Sequence, residues 1–165
     1  MNSEDFVGVY RQIGEETVKT DGTVTSGGSR NSQIMYSPDG YMAVISGPAD
    51  RKRVSGGGDA TNLDGMTEKE RAEAARGMVC YAGRYELKDG AVHHHIDMAL
   101  NPNLVGQSIV RRVHLAGADL TLSTLPDAQG VVRRILWRRV VGKRSGLFGG
   151  LCHRVLTQFR DDFLR

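Results

Sequence analysis

Residues 91–100 read AVHHHIDMAL, and this stretch decides the fold. Three adjacent histidines suggest a metal centre, but the apolar residues around them recur at every second position, which is the period of a β-strand. In a strand, His93, His95 and Asp97 face one way, while Val92, His94, Ile96, Met98 and Leu100 face the other. The triplet therefore splits into an outer pair and a single histidine on an apolar face. His93 and His95 with Asp97 have the spacing of a partial ligand set, yet they share a face with Ala91 and Ala99 and find no further ligand nearby, so no metal site is expected.

The same alternation recurs along the chain in FVGVYRQIG, NSQIMYS, YMAVIS, CYAGRYEL, QSIVRRVHLA, DLTLSTL and VVRRILWRRVV. Together with the histidine stretch these make eight candidate strands. Turn signals at Pro38-Asp39-Gly40, Lys88-Asp89-Gly90 and Gly117-Ala118-Asp119 are short enough to make neighbouring strands antiparallel. Eight strands in a meander have two edges to protect, and closure into an up-and-down barrel removes both while leaving room for one small ligand. A two-sheet sandwich is the alternative, and it needs longer crossings than these turns provide.

Two helices interrupt the pattern. Thr67 and Glu70 form a capping box opening TEKERAEAARGM, with Ala72, Ala75 and Val79 as a narrow apolar stripe. At the C-terminus Phe148, Leu151, Cys152, Val155, Leu156, Phe159 and Phe163 recur at helical spacing. The expected organisation is a barrel over residues 1–145 and an amphipathic helix over 146–165. That helix has several possible fates: packing on its own domain, covering a barrel end, lying on a membrane, or joining two subunits as a homodimer. Residues 51–66, RKRVSGGGDATNLDGM, lack periodicity and suggest a flap; no Gly-Lys-Ser/Thr follows the glycines, so this is not a phosphate loop.

A chain of 165 residues with 39% hydrophobic and 25% charged residues fits one globular domain, and 21 glycines against 4 prolines suit a turn-rich β protein. The net charge of +3 is unevenly spread. Arg133, Arg134, Arg138, Arg139, Lys143, Arg144, Arg154, Arg160 and Arg165 stand against only Asp161 and Asp162 after Val131. Without interleaved aromatics this basic end does not point to nucleic acid. The acidic opening MNSEDFVGVY, the absence of any apolar run long enough to span a bilayer, and two cysteines, Cys80 and Cys152, read as free thiols lead to the expectation of a cytoplasmic protein.

These strands carry a family likeness. The segments Phe6-Val7-Gly8-Val9-Tyr10, Met35-Tyr36-Ser37-Pro38-Asp39-Gly40-Tyr41-Met42, Tyr81-Ala82-Gly83-Arg84-Tyr85-Glu86, the His94 segment through Asn101-Pro102-Asn103-Leu104-Val105-Gly106, Arg111, Leu120-Thr121-Leu122 and Leu136-Trp137-Arg138-Arg139 are similar to those of the bacterial and fungal lipocalin-like domain proteins of the calycin group. The resemblance runs from Phe6 to Val140 and implies a calycin-type barrel with a ligand cavity. It also implies that Tyr10, standing where the family usually has tryptophan, closes the barrel floor with Arg139 packed against it. Ala99 is a second departure, at a position where serine is usual.

The expected ligand-binding residues are Tyr81, Tyr85, His94, Met98, Arg111 and Trp137. Arg111 lies in an apolar row with Ile109, Val113 and Leu115, and a guanidinium there needs either an acidic side chain or a ligand oxygen. His94 also needs a polar partner, and as a histidine it is expected to titrate near neutrality. Tyr81, Tyr85 and Trp137 add rings with polar handles. No nucleophile elbow, paired carboxylates or activated cysteine appears. The expected activity is binding of a small, largely apolar molecule bearing a carbonyl, enol or carboxylate, with no cofactor. The alternative is a cofactor-free cyclase or isomerase in which His94 moves a proton and Arg111 stabilises an oxyanion.

Overall fold

The computed structural model describes residues 3–28, 30–55 and 65–140. A short helix α1 (Ser3–Phe6) precedes β1 (Gly8–Val18), β2 (Val24–Ser26), β3 (Arg30–Tyr36), β4 (Tyr41–Pro48), α2 (Glu68–Ala75), β5 (Val79–Lys88), β6 (Ala91–Ala99), β7 (Ser108–Ala116), β8 (Asp119–Ser123) and β9 (Val132–Arg139). All pairings are antiparallel. From β3 to β9 each strand pairs with the next, and β1 pairs with both β3 and β9. Eight strands thus close a mainly β barrel, with β2 added only to the end of β1.

Closure rests on β1, which pairs with β3 through Gly8–Arg11 and with β9 along nearly its whole length, from Tyr10↔Arg139 to Val18↔Val132. The turn between β5 and β6 uses Asp89 and Gly90, both at positive φ, as a two-residue hairpin requires. The core fills one end of the barrel: Phe6, Tyr10, Tyr36, Val92 and Leu120 are buried there, and Tyr85 packs against them. Helix α1 delivers Phe6 to this floor, with its ring 4.2 Å from that of Tyr36. The Tyr10 hydroxyl donates to the Phe6 carbonyl at 2.8 Å, and the Arg139 guanidinium stacks 4.8 Å from the Tyr10 ring. Arg139 also donates to the Val7 and Asp5 carbonyls, so one side chain ties α1 to the closing strand.

Two features depart from simple alternation. In β6, Ala82↔Met98 is followed by Gly83↔Ile96, which leaves Asp97 as an extra residue. This bulge reverses the direction of everything beyond it. Val92, His94 and Ile96 point inward as expected, but Met98 is 66% exposed and Leu100 48% exposed, both outside the barrel. Gly83 makes the bulge possible, because a Cβ there would lie 1.9 Å from the His95 carbonyl oxygen. A second bulge, at Ile13 in β1, shifts the register against β9 between Gln12 and Gly14.

Helix α2 has its capping box, the Thr67 hydroxyl accepting from the Glu70 N–H while the Glu70 carboxylate accepts from the Thr67 N–H. It buries no residue, and Val79 begins β5 instead of extending an apolar stripe. Glu70 also accepts from the Ser55 N–H; with Thr67, these bonds hold its carboxyl near pKa 2. The basic run of β9 is partly neutralised in place, since Arg138 pairs with Asp119 at 2.8 Å and Arg134 lies 3.8 Å from Glu16. The C-terminal helix expected over 146–165, with Cys152, lies outside the described residues, as does most of the glycine-rich part of the flap. Among the described residues no helix is long and apolar enough to cross a membrane.

Candidate ligand cavity

Above the aromatic floor the barrel holds a cavity of about 490 Å³. Its walls are Ile34, Val44, Ile109, Leu122 and Ile135, with Tyr81, His94, Arg111 and Trp137 among them. Glu15, Arg30, Thr124 and Arg133 line its other end, and the strand registers place that end away from Tyr10 and Arg139.

His94 is 1% exposed and bonded at both ring nitrogens: Nε2 lies 2.9 Å from the Tyr36 hydroxyl and Nδ1 lies 3.1 Å from that of Tyr81. Burial, reinforced by the nearby positive charge of Arg111, pushes its pKa down to about 3. The ring is therefore neutral and carries one proton, and it does not titrate near neutrality as its residue type alone suggests. Tyr36 sits wholly in the core, and His94 is its hydroxyl's one hydrogen-bond partner among the described residues. Its O–H must then donate to Nε2, because the reverse arrangement strands a buried proton. The imidazole proton accordingly sits on Nδ1 and is donated to the Tyr81 oxygen. That leaves the Tyr81 O–H free to donate into the cavity. Burial raises the phenol pKa of both tyrosines, most strongly for Tyr36.

Arg111 lies on the inward face of β7, opposite Val92 of β6. Its guanidinium donates to the Val110 carbonyl at 2.9 Å, and no carboxylate pairs with it among the described residues. Burial lowers its pKa, yet a guanidinium remains a cation at any physiological pH. Trp137 is 2% exposed and lines the same cavity, and its indole N–H is buried with no acceptor among the described residues.

The cavity thus joins Tyr81, His94, Arg111 and Trp137 of the six expected ligand-binding residues. Tyr85 belongs instead to the floor, where its hydroxyl donates to the Ser37 carbonyl at 2.9 Å. Met98 is turned outside by the Asp97 bulge and lines a shallow outer groove with Ile45 and Leu100. The direction of Tyr36, beside the Pro38-Asp39-Gly40 turn, is not readable from the sequence; the structure turns it inward, on the buried face of β3 with Ser32 and Ile34. Of the outer histidines, His95 Nδ1 bonds the Ser108 hydroxyl at 2.8 Å and Nε2 lies 3.8 Å from Glu86. Among the described residues no group of three or more His, Cys, Asp and Glu side chains is arranged to hold a metal ion.

The lipocalin-like domain model matches residues 7–140, which is nearly the whole described barrel. The chain belongs to the lipocalin-like domain family. A curated relative, the 4'-hydroxy-3'-methoxypropiophenone carrier protein of Aspergillus oryzae, is 33% identical over 86 residues, covering 45% of this chain and 78% of that protein. Among solved structures, a lipocalin-like protein from Bacteroides uniformis aligns with 16% identity and a TM-score of 0.41, over 82% of this chain and 99% of its own. An uncharacterized protein from Bacteroides eggerthii aligns with 14% identity and the same TM-score, over 82% of this chain and all of its own.

Proposed function

We propose that this lipocalin-like barrel is a cytoplasmic binder or carrier of a small, largely apolar molecule that presents a carbonyl, enol or carboxylate oxygen to Arg111. The observation that carries this is a guanidinium inside an otherwise largely apolar cavity with no carboxylate partner among the described residues. A partly buried cation without a counter-charge is still costly, and a ligand oxygen supplies the missing partner. The fungal relative supports the class, since its name specifies an aryl ketone that also bears a phenol, a compact apolar body with oxygens at its ends.

Trp137, the chain's single tryptophan, gives the test, because its indole lines the cavity. Titration with aryl ketones, polyketide-like enols, fatty acids and neutral terpenoids is expected to change its fluorescence for the oxygen-bearing compact ligands. Arg111→Leu should weaken that binding by ~1.5–3 kcal/mol, roughly ten- to a hundredfold, while leaving the unliganded protein as stable or slightly more so. Strong destabilisation of the free protein with no change in any affinity would show Arg111 to be scaffold.

A cofactor-free cyclase or isomerase is the second reading, favoured by the Tyr36–His94–Tyr81 hydrogen-bond chain beside Arg111. Against it, His94 is held near pKa 3 and both phenols are raised, so none of the three is a general base suited to neutral pH. Conversion of a bound enol, lost in His94→Gln, would move the choice to catalysis.

A further inference from the structure

The polar groups that meet in this cavity are biased towards donors and positive charge. Among the described residues, Arg30, Arg111 and Arg133 line it against the single carboxylate of Glu15. Arg30 is already engaged by the Ser46 hydroxyl and the Gly77 carbonyl, at 2.9 and 2.7 Å. Farther in, and among the described residues, Arg111 has no counter-charge and Trp137 has a buried N–H with no acceptor, while the proton order along Tyr36, His94 and Tyr81 turns the Tyr81 O–H into the cavity as a donor. A neutral carbonyl satisfies donors but leaves the guanidinium uncompensated; an anionic oxygen answers both needs.

We propose that the cavity takes its ligand as an oxyanion, a phenolate, enolate or carboxylate held by Arg111 and the Tyr81 hydroxyl, with the Trp137 N–H donating to another acceptor of the same ligand. This deepens the binding function proposed above and rests on it. His94 is then a positioning residue: it touches no ligand and fixes which way the Tyr81 proton points. The consequence is preferential capture of acidic phenols and enols over their ethers, with the bound acid ionised at a lower pH than the free acid.

The experiment uses 4-nitrophenol, whose ionised form is distinguished by its absorption, and its methyl ether 4-nitroanisole, which has nearly the same shape and cannot ionise. Binding of both to the full chain is followed by absorbance and Trp137 quenching across a pH series. The expected result is that the phenolate binds about 10- to 100-fold tighter than the neutral phenol, with the bound phenol's pKa lowered by about one to two units. Arg111→Met should abolish that shift, and Tyr81→Phe should reduce it in part. Equal binding of phenolate, phenol and ether overturns the oxyanion site while keeping the apolar-binding function. Failure of all three to bind overturns the function itself, and with it the oxyanion site. If Arg111→Met does not fold, the parent protein's pH series alone decides, since a pKa unchanged or raised on binding refutes the proposal.

Discussion

His94 shows how far residue type can mislead about chemistry. Its burial, reinforced by the positive charge of Arg111, keeps it neutral, and this has a measurable cost in acid. The folded pKa, about 3, lies below the ordinary histidine value of 6.5. Above the unfolded value both states are neutral and the protein has its full stability. As pH falls from about 6.5 towards 3 only the unfolded chain gains the proton, so stability is lost by at most about 1.4 kcal/mol per pH unit. His94→Gln preserves a donor and an acceptor for the two hydroxyls but cannot titrate. Its unfolding free energy, from urea melts, should therefore fall less steeply between pH 6 and 4 than the parent's; identical slopes would mean that His94 is not held neutral. The neighbouring His93 and His95 stand on the other face of the pleat and are less buried than His94.

At the scale of the element, β6 is shaped by its bulge. The alternation of Val92, His94 and Ile96 was legible because each residue sits on one side of a regular pleat, and the same rule applied to Met98 gave the wrong face. One inserted residue, Asp97, inverts the pattern, and nothing in the residues 97–100 themselves announces it. The indication lies across the ladder at Gly83, where the partner strand comes too close for a side chain. Gly83→Ala should force the bulge open and destabilise the protein by about 2–4 kcal/mol in chemical denaturation. An unchanged midpoint would show that the ladder relaxes without cost. Arg111, by contrast, was placed correctly from alternation, since β7 pairs through Arg111 and Val113 without a shift.

For the whole molecule, the decisive contact is β1 with β9, which closes the barrel with Arg139 and the Tyr10 floor at one end and Val132 at the other. Closure is complete by Arg139, before the C-terminal segment begins. Deleting residues 146–165 is therefore expected to leave a cooperatively unfolding barrel with its cavity intact, measured by thermal denaturation and by Trp137 quenching with a bound aryl ketone. Loss of cooperativity would make that segment part of the folding unit.

The sequence by itself determined the antiparallel meander, its turns, the barrel class and the inward placement of His94, Arg111 and Trp137, because side-chain alternation and turn chemistry are local properties of the chain. Only the tertiary structure decided what those residues do. Whether Arg111 meets a carboxylate, whether His94 is charged, whether Tyr85 lies in the floor or the cavity, and on which side Met98 emerges all depend on strands distant in sequence. Their register and bulges set which side chains meet, and their packing sets the local polarity. Charge state and hydrogen-bond partnership are properties of an enclosure, and the enclosure exists only once β1 has closed on β9.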